Sequence, residues 1–310
     1  MESTRQHILE RIADGPISGP DLANELNISR AAIWKHVDAL RAEGIEIESG
    51  PHGYVLATIP EYGGPAVALQ IPGEFGVEYA DSLPSTNDRA RELAQGGAEE
   101  MVVLANEQPA GRGRLGREWV GPPGGIYLSI LVRPNLAPVD VPILTIAAGV
   151  AVAEALEGLG FEPAIKWPND VLIDDKKVAG ILTEMEGEAD RVDWVIVGIG
   201  LNANVDSDSL PEGATSLCVG RENPVDRREV VHAILRSFNR YRNDPVATVT
   251  AWRERSATLG RSVRVETPRE TITGRAVDIE HPGTLLLETT SGIKRVHAGD
   301  CEHLRDDCSA

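Results

Sequence analysis

A run of twelve residues, Gln108 to Trp119 (QPAGRGRLGREW), most restricts what this chain can fold into. Residues 111–116 match G-x-G-x-x-G, the spacing at which a strand turns into a helix beneath a dinucleotide in doubly wound α/β domains. An apolar stretch over 102–105 precedes it, as a strand should. On the other side stand Arg117, Glu118, Trp119, Val120 and then GPPGG (121–125), and prolines set among glycines there cannot open a helix. Without a helix N-terminus under the phosphates, that architecture loses its anion site. The segment therefore reads as a glycine-jointed loop that folds back closely on a ligand.

The loop is also a knot of charge. Gly111, Gly113 and Gly116 space Arg112, Arg114 and Arg117 with no acid between them, in a 310-residue chain of net charge −18. Guanidinium groups grip carboxylates and phosphates with paired donors, so the loop predicts a cradle for a small molecule carrying both. Lys166 stands out in the same way, because the chain has 5 lysines against 25 arginines. It closes the apolar pair Ala164-Ile165 and opens Lys166-Trp167-Pro168-Asn169-Asp170. A half-buried ammonium needs an anionic partner, and that partner is either Asp170, as an ordinary ion pair, or a ligand. In Val195 to Asn204 (VIVGIGLNAN), a buried strand ends in two glycines that leave room, with two asparagines after them. Ser85-Thr86-Asn87 opens the helical run DRARELAQ, either as a plain N-cap or as a set of hydroxyl and amide groups for a neutral polar ligand.

Together these motifs resemble the biotin–protein ligases, and within them the bifunctional type that doubles as biotin-operon repressor. The matching segments are Ser85-Thr86-Asn87, Glu107-Gln108, Gly111 to Arg114 with Gly116-Arg117 and Trp119, Tyr127-Leu128-Ser129, Lys166 to Asp170, Lys177 to Leu182, and Gly198 to Asn204. The resemblance implies a two-step reaction: biotin and ATP give biotinyl-5′-adenylate and pyrophosphate, and a carrier-domain lysine then takes the biotin and releases AMP. It implies that biotin is held by Ser85, Thr86, Asn87, Gln108, Arg112, Gly113, Arg114 and Lys166. ATP and the adenylate would meet Arg112, Arg114, Arg117, Trp119, Lys166 and Asn202, with Lys166, Arg112 and Arg114 at the reacting centre. Mg²⁺ would arrive with ATP, and no metal ligands are assigned. The partners it implies are a biotin carboxyl carrier domain, operator DNA and a second copy of the chain. Two other readings stay open: a biotin sensor without ligase activity, and a lipoate–protein ligase.

Plainer readings cover the rest. Lys176 and Lys177 come directly after Asp174-Asp175 and read as an exposed hairpin turn. Asn204 reads as closing a turn. The seven histidines show no metal spacing. Cys218, Cys301 and Cys308 are an odd, scattered set that suits a reducing, cytoplasmic setting. The most apolar run, Ile143 to Leu156, is too short to cross a bilayer, so no membrane partner is expected.

The fold class expected is α+β. Helical periodicity over 3–13, 18–26 and 29–43, with a hairpin next over 45–56, gives an N-terminal winged helix-turn-helix (1–58) whose third helix reads DNA with Ser29, Arg30, Ala31, Trp34 and Lys35. A proline- and glycine-rich linker (59–76) leads to a catalytic domain (77–255). That domain is a central mixed β-sheet with flanking helices, of the biotin/lipoate ligase type, with a long apolar helix over 142–158. A small SH3-like β-barrel (256–310) ends the chain. Residues 1–58 hold five cations against nine acids, a net of −4. DNA affinity rests mainly on cations at phosphates, so this head is poorly charged for its task.

Overall fold

The computed structural model describes residues 2–60, 62–69, 71–72, 75–221 and 223–304. Cys308 and the end of the C-terminal module, 305–310, lie outside these residues, as do linker positions 61, 70, 73 and 74.

The head's helices arise from its apolar spacing. Helices α1 (Glu2–Ala13), α2 (Gly19–Glu25) and α3 (Arg30–Ala42) bury Ile8, Leu9, Ile12, Leu22, Ile33, Val37 and Leu40 in one core. Ser18 and Ser29 start α2 and α3 by accepting from the amides of Asp21 and Ala32. Strands β1 (Glu46–Gly50) and β2 (Gly53–Thr58) form the wing, and Ile17 bridges to Tyr54. The connector carries a short helix, α4 (Gly64–Ala68), which sequence did not foretell. Its Val67 is fully buried in the central core, while Leu69 joins the core of the head.

The central layer holds β3 (Gly76–Ser82), α5 (Thr86–Gln95), β4 (Met101–Arg112), β5 (Glu118–Gly121), β6 (Ile126–Val132), α6 (Pro142–Glu157), β7 (Ala164–Lys166), β8 (Asp170–Ile173), β9 (Lys176–Gly187), β10 (Val192–Leu201), α7 (Arg227–Tyr241) and α8 (Pro245–Glu254). The sheet order is β3-β4-β6-β10-β9-β8-β7, with β5 on the far end of β4. Strands β3 and β4 pair in parallel and β4 pairs with β6 antiparallel, so the sheet is mixed. Helix α6 is apolar on every side and therefore must be buried all round. With the turn before it, Pro138–Glu157 is long and apolar enough to cross a membrane by length and composition, contrary to the sequence expectation. Most of that stretch is instead covered by the sheet, α7 and α8.

Strands β11 (Ser262–Glu266), β12 (Thr271–Glu280), β13 (Thr284–Thr289), β14 (Gly292–Val296) and β15 (Asp300–His303) form a five-stranded antiparallel sheet. It is fastened to the central layer through Trp167, whose backbone amide donates to Thr258 Oγ1 and whose indole N–H donates to Gly283 O, both at 2.9 Å.

Candidate active site

The arginine loop is the tip of a hairpin. Gln108, Gly111 and Arg112 on β4 face Gly121, Trp119 and Glu118 on β5. A single tight turn, Arg114–Gly116, joins the strands, with Leu115 and Gly116 both at positive φ. The loop runs into β5 and not into a helix, so the dinucleotide reading is excluded. The hairpin folds over β9 and β10, and an open cavity of about 140 Å³ lies between them.

Two glycines of β10 explain the layout of the cavity. Alternate residues of a strand share a face, about 7 Å apart, and Gly198 and Gly200 lie on the face beneath the hairpin. A Cβ on Gly198 would come within 2.2 Å of Asn87 Oδ1, and one on Gly200 within 2.5 Å of the Trp119 ring. The Gly198 end is polar, with hydroxyl and amide groups backed by Glu184 and by Arg112 on Asp88. Gln108 Oε1 accepts from the amide and hydroxyl of Thr86 at 2.7 and 3.0 Å. Ser129 Oγ lies 2.7 Å from Thr86 Oγ1 and 2.6 Å from Asn87 Oδ1. Asn87 Nδ2 donates to Glu184 at 2.7 Å. Ser85 is the N-cap of α5, as the plain reading of that triplet has it, and all three residues line the cavity.

The Gly200 end carries the cations and the indole. Trp119 lies in the slot left by Gly180 and Gly200, with its Nε1 buried and unbonded among the described residues. Lys177 Nζ sits 5.4 Å from the Trp119 ring centre and 2.6 Å from Asp170 Oδ1. This corrects the reading of Lys177 as a solvated turn. Side chains alternate along β9, so Lys176 points out and Lys177 points in. It also corrects the pairing of Asp170, which goes to Lys177 and not to Lys166.

Each arginine of the loop already has an oxygen partner. Arg112 donates to Asp88, with Glu184 at 3.7 Å. Arg114 donates to Asn169 Oδ1 at 3.0 Å and Gly299 O at 2.9 Å, and burial pushes its pKa down. Arg117 donates to Asp300 at 2.8 Å. Burial raises the Asp300 carboxyl, but that hydrogen bond and the charges of Arg117, Arg114 and Lys166 outweigh it and leave it below its ordinary value. The C-terminal sheet thus reaches the loop through Gly299 and Asp300.

Of the residues expected in the site, Ser85, Thr86, Asn87, Gln108, Arg112, Gly113, Arg114, Arg117 and Trp119 line this cavity. Lys166 does not. It lines an adjoining cleft, which shares Arg117, Asn169, Asp170 and Asp300 with the cavity, and it makes no ion pair among the described residues. Asn202 lies one residue past β10, buried, with Nδ2 on Thr215 O at 3.0 Å and Oδ1 unbonded among the described residues. Asn204 does not close a local turn: its side chain exchanges bonds with Val225, 21 residues further on, and so ties the end of β10 to the segment before α7. Sequence reasoning missed Ser129, Asn169, Lys177, Glu184 and Asp300 as members. Alternation along β9 was the available signal for Lys177; for Ser129 it was a lone hydroxyl in the otherwise apolar, buried run of β6.

Three family models match in chain order: an HTH domain over residues 4–55, the biotin/lipoate A/B protein ligase family over 79–202, and the biotin protein ligase C-terminal domain over 258–304. The bifunctional ligase/repressor BirA of Bacillus subtilis is 38% identical, over 92% of this chain and 93% of that protein. The chain belongs to the biotin–protein ligase family. Within the family it resembles the three-part members. The bifunctional ligase/repressor BirA of Escherichia coli is 32% identical over 94% of this chain and 95% of that protein. Among solved structures, a biotin protein ligase from Aquifex aeolicus in complex with biotin and ATP superposes with a TM-score of 0.63 at 30% identity, covering 74% of this chain and 99% of that one.

Proposed function

We propose that this chain is an ATP-dependent biotin–protein ligase and a biotin-responsive repressor in one molecule. The observation that carries the ligase reading is the layout of the cavity: hydroxyl and amide groups around Gly198 with Arg112 at their edge, and Lys177 with an indole around Gly200. Biotin matches it with a neutral ureido ring at one end and a carboxylate at the other. Thr86, Asn87, Gln108 and Ser129 hold the ring; Arg112 and Arg114 hold the carboxylate where it meets the α-phosphate.

In the first step a carboxylate oxygen attacks the α-phosphorus, the bond to the bridging oxygen breaks, and pyrophosphate leaves. Two anions must approach, so the barrier is largely electrostatic and positioned cations lower it. Arg112 and Arg117 exchange protein carboxylates for ligand oxygens, and Lys177 adds a cation that sequence had not offered. Lys166 approaches from the adjoining cleft, where it makes no ion pair among the described residues. Trp119 offers its face to the adenine. In the second step the carrier lysine's amine attacks the acyl carbon, forming the amide as AMP departs.

Mg²⁺ on ATP is usually held by substrate phosphates plus one or two carboxylates. Asp170 and Asp300, both on the wall shared by the two clefts, are the carboxylates that would meet that need, once released from their ion pairs with Lys177 and Arg117. Bound there, the ion would neutralise phosphate charge.

The setting is cytoplasmic, and the carrier is a biotin carboxyl carrier domain. The head binds operator DNA as one half of a homodimer, and adenylate held in the cavity favours that state. One assay tests the reading: ATP, a carrier domain, and labelled biotin or labelled lipoate. Biotin label on the carrier with release of AMP is the expected result. Transfer of lipoate, or adenylate formed without transfer, would overturn it.

A further inference from the structure

The head is short of cations, and the structure shows where they are spent. Arg5 pairs with Glu43, and Arg11 with Glu25 and Asp14. Arg41 turns inward, donating to Ile47 O at 2.7 Å and Ser49 Oγ at 2.8 Å. Arg30 and Lys35 are left without an ion pair among the described residues, and both stand on α3. With Ala31, Trp34 and Asp38 they are exposed at i, i+1, i+4, i+5 and i+8, on a single helix face.

Trp34 is the centre of that face. It is 55% exposed and has no place in the core of the head, so packing does not account for it. It lines a cleft between the start of α2 and the wing, together with Gly19, Gly50 and Tyr54. A helix face that offers DNA two cations has little to spend on phosphates. Its largest contact area is an indole, which is mostly apolar. On the edges of base pairs in the major groove, the apolar feature is the thymine C5-methyl group.

We propose that Trp34 sets sequence specificity by packing its indole against the C5-methyl of one thymine in each operator half-site, with Arg30 and Lys35 fixing the register on either side. This rests on the operator-binding reading above.

The full-length protein, supplied with biotin and ATP, would be used to select duplexes from a random-sequence pool. Each thymine of a selected duplex would then be replaced by deoxyuridine, which removes only the methyl group. One thymine per half-site should respond, with affinity falling about fourfold, the worth of one buried methyl, and about fifteenfold when both half-sites are changed. In Trp34→Ala the duplex should bind more weakly and thymine and uracil should become equivalent. Trp34→Phe should retain part of the difference, and matching thermal unfolding of the variants would show that the head is folded. An undiminished uracil penalty in Trp34→Ala, or no methyl-sensitive thymine with the unaltered protein, overturns the proposal while leaving operator binding intact. Failure to enrich any duplex overturns operator binding itself.

Discussion

At the scale of single residues, Gly198 and Gly200 divide the cavity's labour, and substituting each should separate the two ligands. Gly198→Ala drives a methyl into Asn87, and Gly200→Ala drives one into the Trp119 ring. Overpacking of this kind costs about 1–3 kcal/mol, which is about five- to 150-fold in affinity. Gly198→Ala should therefore weaken biotin binding in the absence of ATP, whereas Gly200→Ala should spare biotin and weaken ATP. Calorimetric titration of each ligand alone checks this, and equal losses for both variants would refute the division. Lys166 makes a different prediction. It holds no ion pair among the described residues and lies outside the main cavity, so Lys166→Ala should leave both the fold and biotin affinity unchanged. Pyrophosphate release should slow on the order of a hundredfold, as when a donor to developing charge is removed. Release at the original rate would take Lys166 out of the reacting centre.

Elements explain which parts of this were legible in sequence. The arginine loop and the Gly198–Gly200 strand could be read because their chemistry is local: charge without counter-charge, and a missing Cβ where room is needed. The partners of the arginines could not be read, because Asp88, Glu184, Asn169 and Asp300 come from four separate segments that only the fold brings together. Helices α7 and α8 were not named, although Asp226 caps α7 and Val230, Ile234 and Phe238 mark its buried face. Strand β15 escaped because its four residues, Asp-Cys-Glu-His, show no strand-like alternation strong enough to stand without β11 beside them. That strand ends in His303, which bonds to Thr258 Oγ1 at 3.0 Å. Burial, with the Lys166 and Arg261 charges added, lowers its pKa from 6.5 to about 4. The unfolded chain therefore binds the proton first, and stability falls as pH drops from 6.5 towards 4. His303→Gln keeps a hydrogen-bonding side chain and removes the titration, so it should flatten the decline of Tm across that window. A decline of equal slope in the variant would place its cause in other groups.

For the whole molecule, the informative joint is the connector between head and ligase. Helix α4 touches both: Leu69 sits in the head core, Gln6 of α1 reaches Ala68 O at 3.4 Å, and His232 of α7 lies 2.8 Å from Val67 O. Tyr62 stacks edge-on against Tyr79 of β3, with ring centres 5.9 Å apart, and lies under the Arg227 guanidinium. The connector is thus more strongly bound to the ligase than a flexible tether would be, and truncation can show where the ligase's own core begins. Removing residues 1–58 takes away the head and uncovers Leu69, but leaves α4 on the sheet. Removing residues 1–72 also takes away Tyr62, Ala66 and Val67 and strands His232 without its oxygen. Burial of one such apolar side chain is worth about 1.5–3 kcal/mol, and a buried polar group left unpaired costs about 1–3 kcal/mol more. The shorter truncation should unfold at nearly the temperature of the full chain's ligase portion and transfer biotin at a similar rate. The longer one should melt lower by roughly 5–20 °C, at 2–4 °C per kcal/mol for a domain of this size, and lose activity as it does. Equal melting temperatures for the two would mean that α4 belongs to the head alone, and that any message between operator and cavity travels by another route.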